Sequence, residues 1–305
     1  MADPTVTGRI LRGVGGLYWV DGPDGVLLEA SARGIFRKTG ETPTAGDRVD
    51  CVPSGDPDRP WHIVKMHPRR NSLVRPSVAN LDGLVITLSA DHPPPDYLLV
   101  DKLLVLCYAL DIEPLLILTK TDLGAAHDDL LKPYRPTGCR LLETHPRDEA
   151  SLDQLRGWLS GKAACLAGQS GVGKSTLVNR LFGGEVMAVG SVSEKIGRGR
   201  HTTREVVFFP FAGGYLADTP GFSTLELYEV GIRAEQVTLG FPEIGRLSEP
   251  CRFQDCRHLG EPGCALPGGP IHPDRLERYR LLRSQLEDVN PYAKKGRGRT
   301  MAEPV

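Results

Sequence analysis

The sequence lacks any long run of apolar residues. A membrane-spanning helix needs about 18 to 20 consecutive apolar residues, and the 305 residues contain no such window. Residues 1–12 also lack the apolar core of a secretion signal. We therefore expect a cytoplasmic protein with no membrane partner.

The chain also lacks an excess of charge of either sign. It has 37 Lys and Arg residues against 38 Asp and Glu residues. This balance excludes a broadly cationic nucleic-acid binder, so such a partner must be met by local basic patches. Hydrophobic residues make up 40% of the chain and charged residues 25%, as in globular proteins. The length allows two or three domains.

Residues 1–70 are predicted to form an N-terminal all-β domain. Short apolar runs at 17–20, 25–28, 48–52 and 61–64 alternate with Gly, Pro and Asp turns. About five short strands suit an OB-fold barrel. Basic residues are interspersed, and they fit a solvated surface and an RNA-binding surface equally well: Arg9, Arg12, Arg33, Arg37, Lys38, Arg48, Lys65, Arg69 and Arg70.

Residues 71–230 alternate between predicted strands and helices, after a linker at 67–72. The strands are expected at 84–88, 115–118, 140–142, 163–167, 205–209 and 215–217, and helices at 96–110 and 152–159. This alternation predicts a doubly wound, mostly parallel α/β sheet. Ligands of such sheets bind at the carboxyl ends of the strands.

A phosphate-binding loop follows the strand at 163–167. The pattern is G-x-x-x-x-G-K-S, with Leu177, Val178 and Leu181 at helical spacing behind it. Lys174 would reach the β- and γ-phosphates, and Ser175 would hold Mg²⁺. A chance Gly-rich turn is the alternative. The predicted nucleotide-binding residues here are Gly168, Gln169, Ser170, Gly171, Val172, Gly173, Lys174, Ser175 and Thr176.

A second nucleotide-binding stretch is Thr119, Lys120, Thr121 and Asp122, directly after the strand at 115–118. It resembles the N-K-x-D guanine motif of GTPases, with Thr119 in place of Asn. The Asp122 carboxylate can accept from N1–H and the 2-amino group of guanine, a donor pair that adenine lacks. A strand-end turn is the alternative. Residues 143–145 are a weaker candidate for the remaining guanine loop.

Two further stretches match the switch segments of GTPases. Asp218 and Gly221 form D-x-x-G, in which Asp218 would hold Mg²⁺ through water and the Gly221 N–H would sense the γ-phosphate. In the Gly/Arg-rich loop at 198–204, we favour Thr203 over Thr202 as a Mg²⁺ ligand. The alternatives are an ordinary Asp-Pro-Gly turn and a solvated loop.

The catalytic candidate is His201. Many GTPases orient the attacking water with a Gln after D-x-x-G, but here that residue is Phe222, which has no hydrogen-bonding group. His201, in the Gly/Arg-rich loop, is the nearest replacement. Alternatively His201 only seats that loop, and a partner or one of Arg198, Arg200 and Arg204 supplies the catalysis.

The order of these motifs is unusual. T-K-T-D precedes the phosphate loop, whereas ordinary GTPases place the guanine motif last. The order is that of a circularly permuted GTPase, which is physically tolerable because the site is assembled from strand ends. Whatever follows D-x-x-G is then attached directly to a segment that responds to the γ-phosphate.

Cysteines and a histidine cluster in that following part. Seven cysteines without a secretion signal favour thiols or metal ligands over disulfides. Cys251, Cys256, His258 and Cys264 suit a closed tetrahedral Zn²⁺ site, so we predict one structural zinc per chain. Residues 231–305 would form a mainly helical zinc-binding domain with a helix at 273–289. Its basic tail either contacts phosphates or only aids solubility.

The motifs together resemble the ribosome small-subunit-dependent GTPase A family of bacteria. The matching segments are RRNSL at 69–73, GQSGVGKST at 168–176, GRHTT at 199–203, DTPGF at 218–222, CRFQDCRH at 251–258 and EPGC at 261–264. The resemblance implies an OB-fold, a circularly permuted GTPase domain and a zinc domain. It also implies a GTP-hydrolysing factor in late maturation of the small ribosomal subunit, which binds rRNA and is stimulated by the subunit. We expect a monomer.

Two other functions remain open on the residues alone. One is an ATP-dependent P-loop enzyme, against which Asp122 argues. The other is an OB/zinc RNA-binding module that does not hydrolyse nucleotide, against which the intact Lys174, Ser175 and Asp218 argue.

Overall fold

The computed structural model describes residues 5–32, 36, 41–57, 59–123, 127–145, 147–183, 206–218, 222 and 225–288. They form a closed barrel, a six-stranded sheet with helices, and a C-terminal region of short helices and loops. Within those ranges, no helix is both long and apolar enough to cross a membrane.

The N-terminal barrel has five strands in the order β1-β2-β3-β5-β4. They are β1 (Val6–Val14), β2 (Leu17–Asp21), β3 (Leu27–Ala32), β4 (Arg48–Pro53) and β5 (Trp61–Met66). Ile10, Val20, Val49, Cys51 and Ile63 fill the interior at 0% exposure, because alternate side chains of a strand point to the same face. The predicted barrel is confirmed, and β1 is a strand that the apolar runs did not reveal.

The central sheet has six strands in the order β10-β9-β8-β11-β13-β12. A two-residue pair, β6 (Ser72–Leu73) and β7 (Val78–Ala79), precedes it. The six are β8 (Gly83–Ser89), β9 (Glu113–Thr119), β10 (Arg140–Glu143), β11 (Ala163–Ala167), β12 (Val207–Phe211) and β13 (Gly214–Asp218). Neighbours from β10 to β13 are parallel, and β12 pairs antiparallel with β13 at the edge. The predicted mostly parallel sheet is confirmed.

Helices cover the sheet and connect its strands. They are α1 (Tyr97–Ala109), the short α2 (Asp128–Leu131), α3 (Glu149–Leu159) and α4 (Lys174–Leu181). Helix α1 begins where the Asp96 side chain accepts a hydrogen bond from the Leu99 N–H at 3.0 Å, a usual N-cap. Most of its side chains are buried, as its apolar composition predicts.

The segment between barrel and sheet is anchored on both sides rather than being a plain linker. Arg69 donates twice to the buried Asp47 carboxylate of the barrel, each time at 2.7 Å. The Asn71 amide group donates to the Leu81 carbonyl and accepts from the Leu81 N–H, both at 2.9 Å. The RRNSL segment therefore fixes the barrel against the sheet.

The barrel also contacts the sheet at β13, the strand next to the edge strand β12. The Tyr215 hydroxyl donates to Asp21 at 2.7 Å, and the Arg9 guanidinium lies 5.0 Å from the Tyr215 ring centroid. Burial and the hydrogen bond to Asp21 raise the pKa of Tyr215 to about 12. Arg9 and Arg69, two of the basic residues considered for RNA, are thus engaged within the protein. Residues 33 and 37–38 of that set lie outside the described residues.

The C-terminal region contains two 3₁₀ helices, Ala234–Gly240 and Pro242–Arg246, and helix α5 (Pro273–Glu287). The helix expected over 273–289 thus ends at Glu287. A neutral cluster of four charged side chains joins α5 to α1. Arg275 pairs with Asp101 of α1 and, at 2.7 Å, with Glu243, and these three are 0% exposed. Arg278 donates to the other Asp101 oxygen.

The charge on Arg275 is maintained by its partners. Burial opposes that charge, but the carboxylates of Asp101 and Glu243 outweigh it and raise the pKa of Arg275. The guanidinium also lies 4.6 Å from the Phe241 ring centroid and 4.8 Å from that of Tyr134. Removal of one member would leave an uncompensated buried charge, which is far costlier than losing an exposed pair.

Candidate functional site

The predicted nucleotide motifs follow β9, β11 and β13 at the carboxyl end of the sheet, with β8 between β9 and β11. In the register of the strands, Ser89 lies opposite Thr119, and Ile86 lies opposite Ala167. The backbone of Asp218 lies opposite Leu166, two residues before the phosphate-loop pattern begins. The segments that follow β11 and β13 therefore start side by side, and the segment that follows β9 starts on the other side of β8.

The phosphate loop packs closely on β8. Gly168 has φ 141°, and a Cβ placed on it would lie 2.4 Å from the Thr87 carbonyl oxygen, so no larger residue fits. The Thr87 hydroxyl donates to the Ala167 carbonyl at 2.7 Å. Lys174, the first residue of α4, donates from Nζ to the carbonyls of Gly168 (2.9 Å) and Gln169 (2.6 Å). The ammonium group is therefore held over the loop in which phosphate would bind.

T-K-T-D contacts this loop directly. The Thr119 hydroxyl lies within hydrogen-bond distance of the Leu88 carbonyl, at 2.8 Å, and of the Val172 carbonyl. Because a hydroxyl has one proton, it donates to one of the two at a time. Lys120, at φ 60°, donates from Nζ to the Gly171 carbonyl at 2.9 Å. Thr119 replaces the Asn that is usual in this motif. Its hydroxyl nevertheless connects the end of β9 to the phosphate loop.

Asp122 has a partner that sequence analysis missed. Its Oδ2 accepts from Arg147 Nη2 at 3.2 Å, and the Arg147 side chain is 82% exposed. Arg147 belongs to the loop between β10 and α3. A guanine on Asp122 would have to displace this guanidinium or share the carboxylate with it, since the two oxygens offer several acceptor positions.

Thr144, in the weaker guanine candidate at 143–145, supports the loop. It is 2% exposed. Its N–H donates to the Leu118 carbonyl at 2.8 Å, and its hydroxyl lies 2.6 Å from that of Ser151. The N–H and the hydroxyl of Thr144 are therefore both engaged within the protein, and His145 and Arg147 are further polar residues of this loop.

Several predicted residues lie outside the described part of the chain. They are His201, Thr203 and Gly221, together with the side chain of Asp218. Phe222, which follows D-x-x-G, is described and is 1% exposed. It belongs to the same core as Leu225 and Leu227. The Phe222 side chain therefore packs into the core. It has no hydrogen-bonding group with which to orient a water molecule.

The four predicted metal ligands come together. The ligand atoms of Cys251, Cys256, His258 and Cys264 all lie within 4.8 Å of one another. His258 Nδ1 lies 3.5, 3.6 and 3.4 Å from the sulfurs of Cys251, Cys256 and Cys264. Tetrahedral zinc with bonds of about 2.3 Å to sulfur and 2.0–2.1 Å to nitrogen places these atoms about 3.5 Å apart. The geometry and the donor set therefore fit zinc.

Glu261 and α5 hold the ligand loop in shape. Glu261 Oε1 accepts from the Arg257 N–H at 3.0 Å, and Oε2 from the Leu259 N–H at 2.8 Å. Although burial opposes it, hydrogen bonds from the backbone N–H groups of Glu261 itself, Arg257 and Leu259 lower the pKa of Glu261 to about 2. From α5, Tyr279 donates to the Arg257 carbonyl at 3.0 Å and Arg280 to the His258 carbonyl at 3.1 Å. The spacing of the cysteines in the sequence did not predict these hydrogen bonds of Glu261, Tyr279 and Arg280.

Two family models match the chain. One, described as RsgA GTPase, matches residues 66–228. The other, described as RsgA N-terminal domain, matches residues 7–56, which lie largely in the barrel.

Named relatives cover nearly all of the chain. A protein of Streptococcus pyogenes named small ribosomal subunit biogenesis GTPase RsgA is 38% identical over 295 residues, which are 94% of this chain and 98% of the relative. A relative of the same name from Ruminiclostridium cellulolyticum is 40% identical, over 93% of this chain and 95% of its own length.

Solved structures with this fold include two close matches. One is described as YloQ, a circularly permuted GTPase, with a TM-score of 0.74, 31% identity and coverage of 94% of this chain and 97% of that one. The other is YjeQ from Thermotoga maritima, with a TM-score of 0.76, 28% identity and coverage of 94% and 100%. The closed barrel, the α/β domain and the cluster of three cysteines and a histidine in this chain thus accompany a fold shared with a circularly permuted GTPase.

Proposed function

This chain belongs to the RsgA GTPase family, and from that membership we propose that it hydrolyses GTP as a late assembly factor of the small ribosomal subunit. Its relatives over 93–94% of the chain carry the name small ribosomal subunit biogenesis GTPase. The chain is accordingly a GTP-hydrolysing enzyme with a circularly permuted fold. Binding to rRNA and stimulation by the subunit are the finer parts of the proposal.

The contact of T-K-T-D with the phosphate loop is the observation that supports GTP as the nucleotide. The hydrogen bond from Lys120 Nζ to the Gly171 carbonyl, at 2.9 Å, joins the two segments through a single side chain. A base on Asp122 and phosphates in the loop would then belong to one nucleotide. Asp122 favours guanine over adenine, because guanine alone offers paired N–H donors on that edge.

The remaining roles are proposals about particular residues. Residues 119–122 and 168–176 bind GTP, and Ser175, Thr203 and Asp218 hold Mg²⁺. Gly221 senses the γ-phosphate, and His201 orients the attacking water. Zn²⁺ held by residues 251, 256, 258 and 264 is structural, because four protein ligands leave no open position.

The division of labour among the parts is also proposed. Residues 1–70 would bind rRNA, residues 71–230 would bind and hydrolyse GTP, and residues 231–305 would hold zinc. The subunit would be the partner of a cytoplasmic monomer. The barrel keeps exposed basic residues such as Arg48, which support local contacts with phosphate despite the balanced net charge.

The decisive experiment measures phosphate release with purified small subunits, with large subunits and without either. GTP turnover should be slow alone and rise with small subunits, because Phe222 provides no water-positioning group. Stimulation by large subunits, or equal turnover of ATP, would contradict the proposal. Absence of phosphate release under every condition would favour a non-hydrolysing RNA-binding module.

Asp122→Asn should remove guanine selectivity and leave the fold intact. The change keeps side-chain volume but replaces an acceptor by a donor, so the N1–H and 2-amino group of guanine lose their partner. We expect a loss of GDP affinity on the order of a hundredfold. Xanthosine diphosphate, which carries a carbonyl at the 2-position, should gain affinity. Nucleotide titrations of both diphosphates measure the change.

The matched control for this substitution is Asp153→Asn, on the exposed face of α3 with its side chain 72% exposed. It should bind GDP like the wild type. If Asp122→Asn retained the wild-type preference for GDP, the guanine site would have to lie elsewhere.

His201→Ala should lower subunit-stimulated turnover by on the order of a hundredfold, the usual effect of losing one positioned catalytic group. GTP affinity should stay nearly constant, because the imidazole is assigned to water and not to the nucleotide. Single-turnover hydrolysis with small subunits measures this effect.

His201→Gln provides a graded comparison, since its amide keeps one donor and one acceptor. It should retain more turnover than His201→Ala. Full stimulated turnover in His201→Ala would show that His201 only seats its loop, and would transfer the role to the subunit or to Arg198, Arg200 or Arg204.

A further inference from the structure

Helix α1 lies between the phosphate loop and the segment that follows D-x-x-G. At its start, the Asp96 N–H donates to the Gln169 side chain of the phosphate loop at 3.2 Å. One and a half turns further along, Lys102 Nζ donates to the Leu225 carbonyl at 3.1 Å and to both carboxylate oxygens of Glu226 at 3.0 Å. The same helix therefore touches both segments.

The Lys102 ammonium group is fully hydrogen-bonded in this contact. An ammonium group has three N–H donors, and the three acceptors match them in number. The Lys102 side chain is 12% exposed and that of Glu226 is 45% exposed, so the lysine side of the contact is largely removed from water. Charge-assisted hydrogen bonds of this kind are roughly twice as strong as neutral ones. The contact is therefore more than an exposed ion pair on the surface.

The chain beyond D-x-x-G is packed onto α1 along its length. Phe222, Leu225 and Leu227 are 1%, 4% and 3% exposed. A Cβ placed on Gly240 would lie 2.5 Å from a Val105 methyl carbon and 2.7 Å from the Val105 nitrogen. The 3₁₀ helix that ends at Gly240 thus lies directly on α1. Lys102 adds a charged contact beside these apolar ones, as Arg275 does at the Gly240 carbonyl.

We propose that Lys102 is a positioning residue for GTP hydrolysis. It fixes Leu225 and Glu226, at the start of the packed segment that follows D-x-x-G, and so limits how that segment responds when a γ-phosphate binds. This inference rests on the proposed function, because it takes residues 218–221 as the γ-phosphate-responsive segment. Asp101, the preceding residue, pairs with Arg275 and Arg278 of α5, so the same helix also carries the zinc-bearing region.

Lys102→Met tests this role, because methionine keeps an unbranched apolar stem and removes the charge and the donors. GDP affinity should stay within about twofold, since GDP has no γ-phosphate to be sensed. The advantage of a non-hydrolysable GTP analogue over GDP should fall by about tenfold, within the usual range of coupling between two sites. Subunit-stimulated kcat should fall by a similar factor with little change in KM.

Two variants separate positioning from general stability. Lys102→Arg keeps charge and donors and should restore both readouts. Lys162→Met removes another partly buried lysine, which pairs with Glu113 at 2.7 Å and lies 4.1 Å from the Trp158 ring centroid at the opposite end of the sheet. It should leave the ratio of analogue to GDP affinity unchanged.

The possible results distinguish a positioning role of Lys102 from a structural role and from failure of the proposed function. Equal weakening of GDP and the analogue, together with a lower melting temperature, would reduce Lys102 to a structural role and overturn the inference. Wild-type affinities and turnover in Lys102→Met would overturn it as well. If the wild-type protein neither bound nor hydrolysed GTP, the proposed function would fail and this inference with it.

Discussion

Replacing Cys256 by alanine is expected to remove zinc from the purified protein and to unfold residues 245–265, while GDP binding persists. Structural zinc contributes roughly 10–16 kcal/mol of apparent binding free energy in small domains. Residues 251–264 contain neither helix nor strand, so without the metal little backbone hydrogen bonding holds them together. The cluster of Arg275, Asp101 and Glu243 keeps α5 on α1 independently of the metal.

Elemental analysis, hydrogen exchange and a GDP titration measure these three effects. The wild type should contain one zinc per chain, and fast exchange should appear at residues 245–265 of the variant. Cys139→Ala, which removes a buried thiol outside the metal cluster, should keep its zinc. Wild-type protein purified without chelator but free of zinc would refute the metal assignment.

Arg275→Ala is expected to cost roughly 3–5 kcal/mol of unfolding free energy, the range for breaking a buried ion pair from one side. The substitution leaves Asp101 and Glu243 as two buried carboxylates with Arg278 as their remaining cation. It also removes the hydrogen bond from Arg275 Nη2 to the Gly240 carbonyl, at 2.9 Å. Urea unfolding followed by tryptophan fluorescence gives the change.

Arg156→Ala is the matched control for Arg275. The Arg156 side chain is 34% exposed and pairs with two exposed carboxylates on the same helix, so its loss should cost about 0–1 kcal/mol. Should Arg275→Ala yield no folded protein, Arg275→Lys keeps the charge but not the planar fork and should show an intermediate loss. A cost below about 1 kcal/mol for Arg275→Ala would contradict the importance of the cluster.

Local patterns were enough to predict much of the fold. Strands β8, β9 and β11 read as unbroken apolar runs because both faces of the sheet are covered. The four residues predicted to hold zinc lie within one short segment of the sequence, and the structure brings their ligand atoms within 4.8 Å of one another. In contrast, β1 escaped notice because its register shifts between Ile10 and Arg12, and such a bulge interrupts the period of two that marks a half-buried strand.

The contacts that sequence could not predict join residues far apart in the chain. Arg147 reaches Asp122, and Lys102 reaches Glu226, without any spacing rule to connect the two members of each pair. Arg69 appeared as one of several scattered basic residues and pairs with the buried Asp47. Such pairings are decided by how the sheet brings distant segments together, which periodicity and propensity do not encode.

The order of strands in the sheet also has a consequence for synthesis of the chain. β8 lies between β9 and β11, yet residues 90–162 must be made before β11 exists. A growing chain can pair β8 with β9, and β9 with β10, while the other edge of β8, with Leu84 and Ile86, stays open. Unpaired apolar edges are prone to pair with other chains. The half-made protein is therefore open to pairing with other chains until β11 covers that edge.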